Sequence, residues 1–305
     1  MSPKLQTFLK RLFSTVILIA VLVGVVEWHH PYGYAALICV LCNLSTIEWF
    51  RMLSGHTQAS NRGLILLGGL LYPWLLAAIA LGLPEDMDVL ADVYLSQEPA
   101  TLIQTFSLKY LLGYALLAFI LELVRMDYRG QGAAQALQSL GTTLLAFIFP
   151  VWLFCYALVA LVDFPFAVYQ LLWLVAVTKL SDIFAYLCGV LLGRRLFKRP
   201  FSPAVSPKKT WEGIIGSFIL TSIAGVGLLN FFVTGADMPP IGFFVIFMPI
   251  LFALSVAGDL AGSLIKRGLG VKDSGSLLPG IGGIFDLIDS PAFTVSFFIL
   301  LFNVL

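Results

Sequence analysis

Charge is what this chain has least of: Asp, Glu, Lys and Arg fill 11% of 305 positions, hydrophobic residues fill 59%, and the mean hydropathy is +0.96. A soluble domain of this length devotes about a quarter of its residues to charge, so a water-solvated fold is excluded. Histidine is almost missing. The three present, His29, His30 and His56, fall at span borders or in a short loop, where interfacial placement explains them. Cysteine is scarce too, and all four lie in apolar runs; Cys39 and Cys42 form a lone C-x-x-C with no second ligand pair, so packing is the better reading than zinc or redox chemistry. The chain also lacks a G-x-x-x-x-G-K-[ST] loop, a repeat and a polar linker to a second soluble domain. Its net charge of +1 comes with no basic motif, which argues against a nucleic-acid partner.

Long apolar runs are what it has instead. About nine can cross a hydrocarbon core of about 30 Å: Leu12–Val26, Gly33–Met52, Leu64–Leu83, Tyr110–Val124, Leu137–Val162, Phe166–Leu192, Ile214–Thr234, Ile241–Ile265 and Ile284–Leu305. The expected fold is all-α, a polytopic integral membrane bundle of about nine transmembrane helices. The first run follows Lys4, Lys10 and Arg11 like a secretory signal, but Glu27-Trp28-His29-His30 comes next in place of a small-residue cleavage site, so a retained span is expected. Sixteen of the eighteen Lys and Arg residues fall in the N-terminus and the even-numbered connections, and the alternate connections carry Glu85, Asp86, Asp88, Asp92, Glu98, Asp163 and Asp237. The N-terminus is therefore expected to be cytoplasmic, and the C-terminus, after nine spans, not.

The chain changes character near residue 165. Residues 1–165, about five spans, are almost free of internal charge apart from Glu48 and Glu122 near cytoplasmic ends; residues 166–305, about four spans, hold the polar groups. Ionisable side chains at membrane depth are costly and normally mark function, so the chemistry is expected in the second part.

Three constellations carry it. Lys179, Asp182 and Tyr186 share one helical face, which reads equally as an internal ion pair. In Ser206-Pro-Lys-Lys-Thr-Trp-Glu-Gly213, Ser206 before Pro207 predicts a helix start, placing Lys208 and Lys209 in a first turn. There the lysines oppose the helix dipole unless a phosphate binds, in which case amides, dipole and ammonium groups all attract it. The plainer alternative is a basic loop near lipid headgroups. The third constellation runs from Asp259 through Ser263, Lys266, Arg267, Lys272 and Asp273 to Asp286 and Asp289, with Gly275, Gly280, Gly282 and Gly283 between. Asp259 and Asp286 on separate helices suit a hard divalent cation such as Mg²⁺ shared with substrate phosphates. The glycines suit close backbone approach to a ligand or positive φ.

The pattern S-x-x-K-R-x4-K-D-S-G-x-x-L-P-G-x-G-G-x-x-D-x-x-D from Ser263 to Asp289, with the Ser206–Gly213 segment and Asp182-x-x-Ala-Tyr186, resembles the phosphatidate cytidylyltransferases, or CDP-diacylglycerol synthases. Two positions depart from that family's signature. Ile281 stands where a histidine is usual and Leu287 where an arginine is usual, which removes a donor and a fixed cation beside the expected metal site and weakens leaving-group stabilisation.

The resemblance implies that CTP and phosphatidic acid give CDP-diacylglycerol and pyrophosphate, at a site near the inner face of a bacterial cytoplasmic membrane. CTP would arrive from the cytoplasm and the lipid from the bilayer. It implies catalytic roles for Asp259, Asp286, Lys266 and Asp289, with Mg²⁺ on Asp259 and Asp286. Substrate contacts are expected from Ser206, Lys208, Lys209, Thr210, Arg267, Lys272, Asp273 and Asp182. A second metal ion such as K⁺ and a homodimer are compatible with the sequence, and nothing in it requires them. The residues alone leave other readings open: a CTP-dependent lipid-alcohol kinase, an impaired paralogue, or an ion path through a transporter.

Overall fold

A chain segment in lipid has no water to receive its backbone N–H and C=O groups, so the apolar runs must close their hydrogen bonds internally as helices. The computed structural model describes residues 17, 20–25, 27–28, 30–53, 61–82, 99–130, 132–161, 166–232, 241–279 and 282–302. Its long helices are α1 (Pro31–Met52), α2 (Arg62–Gly82), α3 (Pro99–Arg129), α4 (Ala133–Phe147), α5 (Phe166–Leu192), α6 (Trp211–Phe232), α7 (Ile241–Gly268) and α8 (Ile284–Phe302). Beyond α4 the coil continues through a π-helical turn, Ile148–Trp152, an α turn, Leu153–Cys155, and a 3₁₀ stretch, Tyr156–Leu161. Pro150 sits inside the π turn, where its missing N–H and ring make an ordinary α turn costly.

Among the described residues seven helices are long and apolar enough to cross a membrane. With α8, whose 19 residues span about 28 Å at 1.5 Å each, they correspond to eight of the nine expected runs. Most of the first run, Leu12–Val26, lies outside the described residues. The expected Tyr110–Val124 run is part of a longer helix, α3, of 31 residues. The protein is an all-α polytopic integral membrane bundle.

One buried cluster joins the two parts of the chain: Cys39 and Cys42 of α1, Tyr72 of α2, Phe147 and Leu158 around α4, Trp173 of α5, and Ile288, Ala292 and Val295 of α8. Helix α8 is the centre, packed on α1, α5, α7 and the stretch after α4. Lipid tails are as apolar as leucine, so helix association relies on close approach and hydrogen bonds. Both are present. Thr178 and Thr294 meet at 3.0 Å, Ser181 and Ser255 at 2.7 Å, and Ser217 donates to the Ser181 carbonyl at 2.6 Å. On α7, Gly258 and Gly262 form a small-xxx-small step: a Cβ at Gly258 would meet the Asp289 carbonyl at 2.6 Å. All four cysteines are free and buried, with Cys42 and Cys155 sulfurs 3.6 Å apart, in keeping with packing.

One expected element is different. Ser206 does not start a helix: β1 (Pro200–Ser202) pairs antiparallel with β2 (Ser206–Thr210), and α6 begins at Trp211. The cap is Thr210, whose Oγ1 accepts from Gly213 N at 3.1 Å. In a two-stranded hairpin both strands are edges, so Pro207 loses no necessary ladder bond by lacking an N–H. Lys208 and Lys209 therefore project from a strand before the helix, not from its first turn.

Candidate active site

The charged groups gather where α1 and α7 end, α6 and α8 begin and the hairpin folds over them. Each piece of sequence logic is local. Helix α7 stops in a turn in which Val271 N donates to the Lys266 carbonyl at 2.9 Å and Gly270 takes φ +66°, and cations at its last turn suit the negative end of the helix dipole. Of the residues expected on one α7 face, Lys266 turns inward and is 8% exposed, whereas Arg267 is exposed and donates to the Val271 carbonyl at 3.4 Å.

Two ion pairs bridge elements. Lys209 of β2 meets Asp259 of α7 at 2.5 Å, and Lys266 of α7 meets Asp286 of α8. On α5, Lys179 and Asp182 pair at 3.5 Å. These are one cluster: Asp289 lies within electrostatic reach of Lys179, Asp182, Asp259 and Lys266, and Lys266 within reach of Asp259, Asp286 and Asp289. Asp289, one turn beyond Asp286, is 3% exposed and accepts from Ser290 N at 2.7 Å. Its other oxygen faces Gly262, where a Cβ would meet it at 2.8 Å.

A cavity of about 340 Å³ opens beside the cluster, lined by Ser181, Asp182, Tyr186, Lys208, Lys209, Thr210 and Asp259 together with the small residues Ala185, Gly189 and Gly213. Its cationic wall comes from the hairpin and its carboxylates from α5 and α7. Ser206 stands at the start of β2, half-buried. Arg267, Lys272 and Asp273 are exposed, do not line this cavity and enter no ion pair among the described residues. Thus Asp182, Lys209, Asp259, Lys266, Asp286 and Asp289 come together, and the loop residues do not join them.

The donor set can be tested against a divalent cation. Among the described residues no group of three His, Cys, Asp or Glu side chains is arranged to hold a metal, so an all-protein cage is not offered. Asp286 Oδ2 already accepts from Ser274 Oγ at 2.8 Å, Ser274 N at 3.2 Å and Gly283 N at 3.1 Å, and Oδ1 is engaged by Lys266. Asp259 is the more open, its side chain 29% exposed. Asp259 leaves room for Mg²⁺, which is usually bound through one or two carboxylates plus substrate phosphates, whereas Asp286 can join it only when Lys266 turns from the carboxylate to a phosphate.

One of the two departing positions changes meaning. Leu287 faces a second, apolar cavity of about 200 Å³ between α1, α5 and α8, lined also by Leu37, Leu41, Phe154, Val175 and Lys179. Ile281 lies outside the described residues. The residue that sequence reasoning passed over is Glu48 of α1. It is 1% exposed and accepts from Ile284 N and Phe285 N, both at 2.9 Å, and from Ser274 Oγ at 3.2 Å. Its only sequence signal was a carboxylate inside an apolar run.

Helices that span lipid, with lysines and carboxylates drawn to one end around an open cavity, define a polytopic membrane protein with a charged pocket at its rim. The chain belongs to the cytidylyltransferase family, whose model matches residues 9–305. It is similar to the phosphatidate cytidylyltransferase of Mycobacterium bovis, 44% identical over 110 residues, 36% of this chain and 33% of that one. It is also similar to that of Helicobacter pylori, 40% identical over 129 residues, 42% of this chain and 45% of that one. An Escherichia coli protein named "Uncharacterized protein YnbB" is 41% identical over 129 residues, 42% of this chain and 40% of that one. The chain spans about a third to just under half the length of these relatives.

Proposed function

We propose that this protein is a phosphatidate cytidylyltransferase, joining CTP and phosphatidic acid into CDP-diacylglycerol with release of pyrophosphate. The observation that carries the reading is an open cavity walled by the Lys209–Asp259 pair, with Lys208 and Asp182, next to which the Lys266–Asp286 pair joins α7 to α8 within electrostatic reach of Asp259, in a chain matched to the family over residues 9–305. The name borne by the Mycobacterium and Helicobacter relatives supports the substrate pair.

In the reaction an oxygen of the lipid phosphate attacks the α-phosphorus of CTP. A new oxygen–phosphorus bond forms, the bond from the α-phosphorus to the bridging β-oxygen breaks, and pyrophosphate leaves with the electron pair. A phosphomonoester has its second pKa near about 6, so the attacking oxygen is largely ionised at neutral pH and no general base is needed. Positioning and charge neutralisation remain to be supplied, as in phosphoryl transfer generally. Lys208 and Lys209 on the hairpin, Thr210 at the start of α6, and Lys266 hold the phosphates, with Ser206 beside them and the exposed Arg267 and Lys272 free to meet further phosphate charge. Asp182 and Asp289 orient those cations, and Asp273 stands exposed apart from them. Mg²⁺, held by Asp259 and Asp286, would neutralise charge on the phosphate oxygens. Asp182 and Asp289 are the groups on hand for a second ion such as K⁺. Residues 166–305 form the catalytic part and residues 1–165 the supporting part. The site lies on the cytoplasmic side of a bacterial inner membrane, where basic connections are expected.

Purified protein mixed with CTP, Mg²⁺ and phosphatidic acid tests this. Pyrophosphate release is expected only with both substrates, and Asp259→Asn or Asp286→Asn is expected to lower it at least about 100-fold with the thermal melt retained. Wild-type rates in both variants would remove the metal assignment; no pyrophosphate from the unaltered protein would remove the reaction.

A further inference from the structure

Glu48 belongs to the part of the chain with the fewest internal charges, yet its three hydrogen-bond partners are 226 to 237 residues away. The first amides of a helix have no intrahelical acceptor. Helix α8 starts inside the bundle, and a carboxylate from α1 takes its first two amides; the dipole at that end favours the negative charge. Trp49, the next residue of α1, meets Phe285 edge-on at 5.5 Å, so a polar and an aromatic contact fasten the same turn.

The same carboxylate shapes the loop before α8. A Cβ at Gly275 would lie 2.6 Å from Glu48 Oε1, and one at Gly283 would lie 2.2 Å from Oε2 and 2.1 Å from Ser274 Oγ. The sequence suggested that the loop glycines make room for a ligand. At Gly275 and Gly283 the room is taken by Glu48. Ser274 then spans two carboxylates, donating through Oγ to Glu48 Oε2 at 3.2 Å or to Asp286 Oδ2 at 2.8 Å, and Asp286 is the partner of Lys266.

From these contacts we infer that Glu48 is a positioning residue for the charged site: it pins the 274–283 loop and the first turn of α8, and through Ser274 fixes where Asp286 presents itself to Lys266. The supporting part of the chain is then not only an anchor but holds the catalytic loop in register. The catalytic consequence rests on the proposed cytidylyl transfer; the ordering of the loop does not.

Hydrogen exchange of the full-length protein in detergent micelles, without substrates, tests the ordering. The amides of Ser274, Leu278, Gly282 and Gly283 bond to Asp286 or to one another, not to Glu48. A simple helix cap predicts that Glu48→Ala deprotects Ile284 and Phe285 alone. The inference predicts faster exchange at the other four amides as well, with α1 and α2 unchanged, and the pattern limited to Ile284 and Phe285 would overturn it. Gly275→Ala approaches the same contact from the loop, so it serves if Glu48→Ala does not fold. It is expected to loosen the same amides, and in the Glu48→Ala background, where the space is free, to add little.

Turnover gives a separate arm. Removing a residue that orients site groups costs roughly 10–100-fold in activity or metal affinity, so kcat is expected to fall by that factor at similar KM for CTP, with Glu48→Gln between Ala and the unaltered chain. Normal kcat in a Glu48→Ala protein with a loosened loop would overturn the positioning role. Absence of turnover in the unaltered protein would instead count against the proposed reaction and leave the exchange result to decide the pin.

Discussion

Of the two departures from the family pattern, Leu287 can be placed: its side chain faces away from the charged cluster. Leu287 sits one residue after Asp286 but on a different side of α8, against an apolar cavity that Lys179 also lines. An arginine there would bring a second cation into apolar surroundings. Leu287→Arg is therefore expected to destabilise by about 1–3 kcal/mol, the scale for an imperfectly satisfied buried polar group, with no gain in rate, as read from a thermal melt and an initial velocity. A faster enzyme at an unchanged melt would show that the arginine reaches the charged cavity after all. Individual residues were legible in proportion to how local their partners are. Lys179 and Asp182, three apart on one helix, were expected to share a face and they pair. Glu48 was visible only as an isolated carboxylate because its partners lie at the other end of the sequence.

At the scale of elements, hydropathy located the spans because lipid leaves few alternatives to a helix, and it did so for α1, α2 and α4 to α8 within a few residues. It missed the hairpin. Ser206-Pro207 carries a sound local signal for a helix start, but two local signals compete with it: Ser206–Thr210 pairs with Pro200–Ser202 across a short turn, and Thr210 offers a second cap four residues on. The close seam between α5 and α6 was also unread, although glycine spacing marks it. A Cβ at Gly213 would stand 2.8 Å from the Ala185 carbonyl and 3.0 Å from Thr210 Oγ1. Gly213→Val is accordingly expected to cost about 1–3 kcal/mol by overpacking and to lower turnover, since it moves Thr210 and the α5 wall of the cavity together. Gly227→Val, on the same helix with open space around it, is the control, expected to leave melt and rate unchanged. Equal effects from both substitutions would contradict the seam.

Taken whole, the molecule is a lipid-embedded scaffold whose ion pairs between helices and hairpin, among the described residues, gather in one cluster. Burying lysines and carboxylates near a membrane is costly unless they are paired, and here Lys209 with Asp259, and Lys266 with Asp286, meet that condition within the fold. Exchange of those lysines from carboxylate to phosphate is what a polyphosphate substrate offers, which is why a cytidylyl transfer suits this arrangement better than a path for a bare cation. The fate of the cytidine tests this claim most directly. With CTP labelled in the cytosine ring and phosphatidic acid in mixed micelles, the account predicts label in the lipid extract, with one pyrophosphate released for each cytidine incorporated. Label remaining entirely in water-soluble CDP or CTP would contradict it.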